Sequence, residues 1–74
     1  MIIKKGDYVL VYGEGNEVFG VSAVENGRAF LDNGMTESIE KCLKVPEVHR
    51  EDVYTTVVRN LPTEIAMRLF EEAK

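Results

Sequence analysis

Val24-Glu25-Asn26-Gly27-Arg28-Ala29 decides how the first half of this chain folds. A two-residue hairpin turn needs positive φ at both central residues, and Asn-Gly tolerates that best. The pattern predicts one strand over residues 17–25 and a returning strand over residues 28–31. Glu25 and Arg28 then lie opposite each other as a favourable charge pair. Downstream, Asp32-Asn33-Gly34 repeats the turn chemistry and leads into a fourth strand near residues 35–39. Upstream, Asp7-Tyr8-Val9-Leu10-Val11-Tyr12 is rich in β-branched and aromatic residues and is bounded by Gly6 and Gly13. It predicts the first strand, followed by a loop at Gly13-Glu14-Gly15-Asn16. Gly20, inside the second strand, is expected to mark a bulge or a sharp bend. Cys42-Leu43-Lys44-Val45 gives a brief fifth strand, and Pro46 ends it.

The two turns conflict if each has two residues. Ala23, Phe30 and Glu37 then share one face, and Val24, Ala29 and Ser38 share the other. Neither face is cleanly apolar. Either one loop is longer and shifts the register, or both faces are partly covered.

The period changes after Pro46. Val53, Tyr54, Val57, Val58 and Leu61 recur at helical spacing and predict a first helix, although the same residues also favour strands. Pro62 suits the first turn of a second helix over residues 62–74. There Leu61, Ile65, Ala66, Leu69, Phe70 and Ala73 cover one side, and Glu64–Arg68 is a favourable pair four residues apart. The expected architecture is α+β: a five-stranded antiparallel barrel or meander, followed by one or two C-terminal helices. Residues 1–74 make one domain, with the β part at 1–46 and a helical tail at 47–74 packed on it. No internal repeat or low-complexity tract interrupts it.

Three segments carry a resemblance to a known group of folds. They are Lys5-Gly6-Asp7-Tyr8-Val9-Leu10-Val11, Gly20-Val21-Ser22-Ala23-Val24 and Leu31-Asp32-Asn33-Gly34. Over roughly residues 4–45 the chain resembles the SH3-like small barrels, a group that includes Tudor, chromo-barrel and KOW domains. The resemblance implies a fold. It departs from RNA-binding KOW domains in charge, and from methyl-lysine readers in lacking an aromatic cage that can be assigned position by position.

Composition narrows the functions. Nine basic residues face thirteen acidic ones, a net charge of −4 in 74 residues. The split is even: five basic and seven acidic side chains in residues 1–46, four and six in residues 47–74. Nucleic-acid modules gain most of their affinity by neutralising phosphates, so a nucleic-acid partner is not expected. Cys42 is the only cysteine, which fits a reducing compartment. The N-terminus has no signal-peptide apolar stretch, and no apolar run approaches a membrane span. The expected location is the cytoplasm.

No motif carries catalytic chemistry. A nucleophilic pair of Cys42 and the single histidine, His49, would need a third orienting group, and nothing places the two together. Glu47, His49, Glu51 and Asp52 cluster locally, but zinc sites show paired Cys or His at tight spacing. The simpler role for Glu51 and Asp52 is to complement a helix N-terminus. Gly13-Glu14-Gly15 and Gly20 fail the dinucleotide pattern at Val18 and lack the Lys-Ser/Thr of a P-loop. The chain is therefore expected to be no enzyme and to hold no metal or cofactor.

Aromatic surface is the most informative feature. If Val9 and Val11 point into the barrel, alternation puts Tyr8, Leu10 and Tyr12 on its outer face. A row of large apolar groups needs cover. The C-terminal helices can provide it through Val57, Leu61, Ile65 and Leu69, or a protein partner can. Tyr8, Leu10, Tyr12 and Phe30 are the candidate binding surface. The expectation is a non-catalytic protein-interaction module that acts by occluding a site on a larger partner, with self-association as homodimer an open alternative. The rivals are a nucleic-acid or ribosome accessory domain, and a small-ligand or nucleotide binder using a cleft between barrel and helices.

Overall fold

The Asn26-Gly27 turn takes the backbone that its chemistry requires, with φ of 51° at Asn26 and 75° at Gly27. It joins two of the strands in a computed structural model of the chain, which describes residues 2–74. In chain order these are β1 (Tyr8–Val11), β2 (Phe19–Glu25), β3 (Arg28–Leu31), β4 (Thr36–Ser38) and β5 (Cys42–Lys44). A 3-10 turn, Ile39–Lys41, separates β4 from β5. A 3-10 helix, Glu47–Asp52, follows, then a hairpin of β6 (Tyr54–Thr55) and β7 (Arg59–Asn60), then one α-helix, α1 (Thr63–Glu72). The first five strands form one antiparallel sheet in the order β4-β3-β2-β1-β5. β4 and β5 end that sheet at its two edges, so it is open, and the architecture is α+β.

The register conflict between the two turns is resolved by unequal loops. Glu25 pairs with Arg28 across a two-residue turn. At the next turn Leu31 N–H donates to the Met35 carbonyl at 2.8 Å, and Gly34 N–H to the Leu31 carbonyl at 3.0 Å. That loop encloses Asp32, Asn33 and Gly34, with Gly34 in the left-handed region at φ 87°. Three-residue hairpin loops use a left-handed glycine in this way. The extra residue sets Phe30 opposite Thr36 and Ala29 opposite Glu37. A second irregularity lies in β2, where Val21 pairs with Leu31 but Ala23 pairs with Phe30. Ser22 is the surplus residue, and its hydroxyl donates to the Phe30 carbonyl at 2.9 Å. With both adjustments Val21, Ala29 and Leu31 are all buried.

The bulge expected at Gly20 therefore sits two residues further on, at Ser22. Gly20 has a different reason. A Cβ there would lie 2.6 Å from Asp32 Oδ2, closer than any real contact allows. A side chain at this position would make the partly exposed Asp32 carboxylate shift.

β1 divides the apolar residues into two clusters, as strand alternation requires. Val9 and Val11 join Ile3, Phe19, Val21, Ala29, Leu31 and Cys42 on one face. Leu10 joins Val18, Leu43, Val45, Leu61, Ala66 and Leu69 on the other. α1 covers this second face, burying Ala66 and Leu69 with Ile65 and Phe70 partly buried beside them. Each fully buried leucine contributes about 1.5–3 kcal/mol. Asp7 is the buried charged residue among those described. It is satisfied by the Lys4 N–H at 2.9 Å and by Lys44 Nζ at 3.6 Å.

The helix expected around residues 53–61 does not form. That stretch runs out of the 3-10 helix into the β6–β7 hairpin. The run Tyr54-Thr55-Thr56-Val57-Val58 is β-branched after its aromatic, and such residues lose χ1 freedom in a helix but fit a pleated strand. Only Leu61, of the five residues placed on that helix face, is fully buried. Among the described residues no helix is long and apolar enough to cross a membrane.

Candidate functional site

The β6–β7 hairpin is attached to the rest of the molecule along one side only. Residues 16–18 run antiparallel to residues 59–61. Val18 N–H donates to the Arg59 carbonyl at 2.9 Å, and Leu61 N–H to the Asn16 carbonyl at 3.0 Å. Asn16 Nδ2 donates to the Leu61 carbonyl at 2.6 Å, and Glu17 bridges to Asn60 between them. β7 is thus held on both edges, while β6 is the outer strand. Asn60 Nδ2 closes the turn by donating to the Val58 carbonyl at 2.9 Å.

Arg59 ties the hairpin to the sheet through its side chain. Its guanidinium pairs with Asp32 in the β3–β4 turn and lies 5.2 Å from the centre of the Tyr8 ring. Arg50, from the 3-10 helix, lies 4.8 Å from the same ring and donates to the Gly6 carbonyl at 2.5 Å. Two guanidinium groups on one tyrosine pin the 3-10 helix and β7 to β1.

This arrangement leaves a groove of about 450 Å³ between the hairpin and the start of β2. Val57, Val58, Glu17, Phe19 and the Asp32–Arg59 pair are among the residues that line it. Val57 is 95% exposed, the most exposed large apolar residue described. A second groove of about 380 Å³ lies between β5 and the end of α1, lined by Leu43, Pro46, Leu69 and Ala73 among others.

Of the four residues expected to form a binding surface, three are partly or largely accessible and one is not. Leu10 is 0% exposed, because α1 and residues around Leu61 cover it. As a surface residue it is a misassignment. Tyr8 lies beneath the two arginines. Tyr12 stays 43% exposed, its ring 4.9 Å from that of Phe70 in α1. Phe30 is 38% exposed on β3, between Ala23 and Thr36 of the neighbouring strands. Sequence reasoning puts Val57 and Val58 on a helix face and gives Arg59 no role, so it misses all three as lining residues of this groove. The signal for them was the β-branched run itself.

Cys42 and His49, weighed for chemistry, bond to different partners. Cys42 is buried and its thiol donates to the Ser38 carbonyl at 3.5 Å. Burial, with a smaller effect from Glu37, pushes that thiol above its ordinary value of 9.0. The thiolate that a nucleophile requires is disfavoured there. His49 Nδ1 lies 3.0 Å from Asp52 Oδ2, at the end of the 3-10 helix. Among the described residues no three His, Cys, Asp or Glu side chains converge on a metal position. Compared with known proteins, the chain matches no family model, no curated protein and no solved structure.

Proposed function

We propose that the chain is a non-catalytic protein-interaction module on an SH3-like scaffold, and that its partner enters the groove beside the β6–β7 hairpin. The meander order of the five-stranded sheet, with β5 returning beside β1, supports the scaffold. One observation carries the function. Val57 is 95% exposed on a hairpin whose backbone is bonded along one side and whose Arg59 is paired with Asp32. An apolar side chain held in water on an anchored element is the anatomy of an interface centre. Tyr54 and Val58 on the same hairpin are exposed too. A larger protein whose own functional segment is held in this groove would be occluded by it.

Pull-down from cell extract with the full chain and with Val57→Asp tests this. The expected result is a protein partner that survives nuclease treatment and is missing from the variant, while the circular-dichroism melts of the two coincide. A partner retained equally by Val57→Asp would overturn the site. One released by nuclease would favour the nucleic-acid rival.

A further inference from the structure

We infer that the groove beside the β6–β7 hairpin selects a protein segment that carries a lysine or arginine next to an apolar residue. This rests on the protein-binding function proposed above and names the chemistry of the partner. The groove holds two carboxylates and one guanidinium. Arg59 is spent on Asp32. Among the described residues the Glu17 side chain has no hydrogen bond or ion pair, and Glu17 lines the groove with Val57 and Val58. The lining is therefore one unmatched anion next to two valines and the Thr55 hydroxyl. A lysine or arginine side chain suits that pattern: its methylene stem packs on apolar surface while its head stays at the polar rim. A volume of about 450 Å³ accommodates a side chain of that length with a neighbour. The chain's net charge of −4 favours approach of a basic segment and opposes an acidic one.

The test uses the full chain labelled with nitrogen-15 and two short synthetic peptides, alternating lysine–valine and alternating glutamate–valine. The lysine peptide should shift the amide signals of Glu17, Thr55 and residues 57–59, and the glutamate peptide should not. Glu17→Gln should weaken the lysine peptide about twofold to fivefold, the range of a partly exposed ion pair. Added salt should do the same to the wild type and less to the variant. Val57→Ser should weaken it about tenfold through lost apolar contact. Shifts spread over acidic residues throughout the chain would show general charge attraction and overturn the inference. Shifts confined to the groove but indifferent to Glu17→Gln, or equal for the two peptides, would overturn the basic selectivity and leave the groove as the binding site. If the lysine peptide leaves the groove signals unmoved, the inference fails, and the Val57→Asp pull-down separately decides the protein-binding function.

Discussion

The two faces of β1 are packed by different parts of the chain. Behind Val9 and Val11 the core is drawn from residues 3–42, brought together by successive strands and short turns. Behind Leu10 it is drawn from residues as far apart as Leu10, Leu43, Leu61 and Leu69. The first core is assembled by local hairpin chemistry. The second exists only when the end of the chain returns to the sheet. A domain this small buries a modest share of its surface, so neither core is dispensable. The C-terminal helix is part of the fold, and it covers Leu10 on the outer face of β1 while Tyr12 stays 43% exposed.

The largest expected effect comes from removing the second core. A chain ending at Val58 loses Leu61, Ala66 and Leu69 together with the pairing of residues 59–61 to residues 16–18. It should be largely unfolded when followed by circular dichroism during heating. A cooperative melt at the full-length temperature would show that the first core stands alone and that the two faces are not interdependent. Next, Leu61→Ala should cost about 2–5 kcal/mol by urea titration, because Leu61 is 0% exposed. A loss below about 1 kcal/mol would mean that the second face collapses around the gap, which well-packed interiors resist. On the first face, Gly27→Val should cost about 1 kcal/mol or more, since a β-branched residue resists the φ of 75° at that turn. An unchanged urea midpoint would show that local turn chemistry is not what organises this side.

The smallest effect is expected at Cys42→Ser, about 1 kcal/mol, at the low end for a buried hydroxyl. The new hydroxyl inherits the Ser38 carbonyl as acceptor. It also has a pH signature. The folded thiol is raised above 9.0, so the unfolded chain loses its proton first. The stability contributed by the neutral thiol is full below pH 9.0 and declines as pH rises through the folded value. Urea midpoints taken from neutral pH to above 9.0 should fall more steeply for wild type than for Cys42→Ser. Parallel curves would show that the thiol is not desolvated.

What could be read from the residues alone follows the same division. Asn26-Gly27 has one backbone solution, so β2, β3 and their register at Glu25–Arg28 were legible. Asp32-Asn33-Gly34 was legible as a turn but not in length, because two- and three-residue loops use the same residue types. α1 was legible from the spacing of Leu61, Ala66 and Leu69. Residues 53–61 were not: valines three or four residues apart serve a helix or a hairpin equally, and only pairing with residues 16–18, far away in sequence, decides. The burial of Leu10 was not legible for the same reason. Tyr8 and Leu10 were placed on the correct strand face, but what covers that face comes from the other end of the chain. Gly20 was noticed for its backbone, whereas what it meets in the fold is the Asp32 carboxylate, which no local pattern reveals.

The bonds between Asn16 and Leu61 span 45 residues, and that separation has a kinetic consequence. Closing a loop of this length costs about 3 kcal/mol in chain entropy before any contact compensates, whereas the Asn26-Gly27 hairpin closes almost for free. The folding barrier should therefore be crossed with the hairpins around β2 and β3 formed and the tail still detached. Substitutions near Gly27 should slow folding, while Leu61→Ala should chiefly speed unfolding. During that interval the Leu10 face of β1 is open to water and to other chains, so the order of assembly, more than the finished structure, sets the window in which this protein can aggregate.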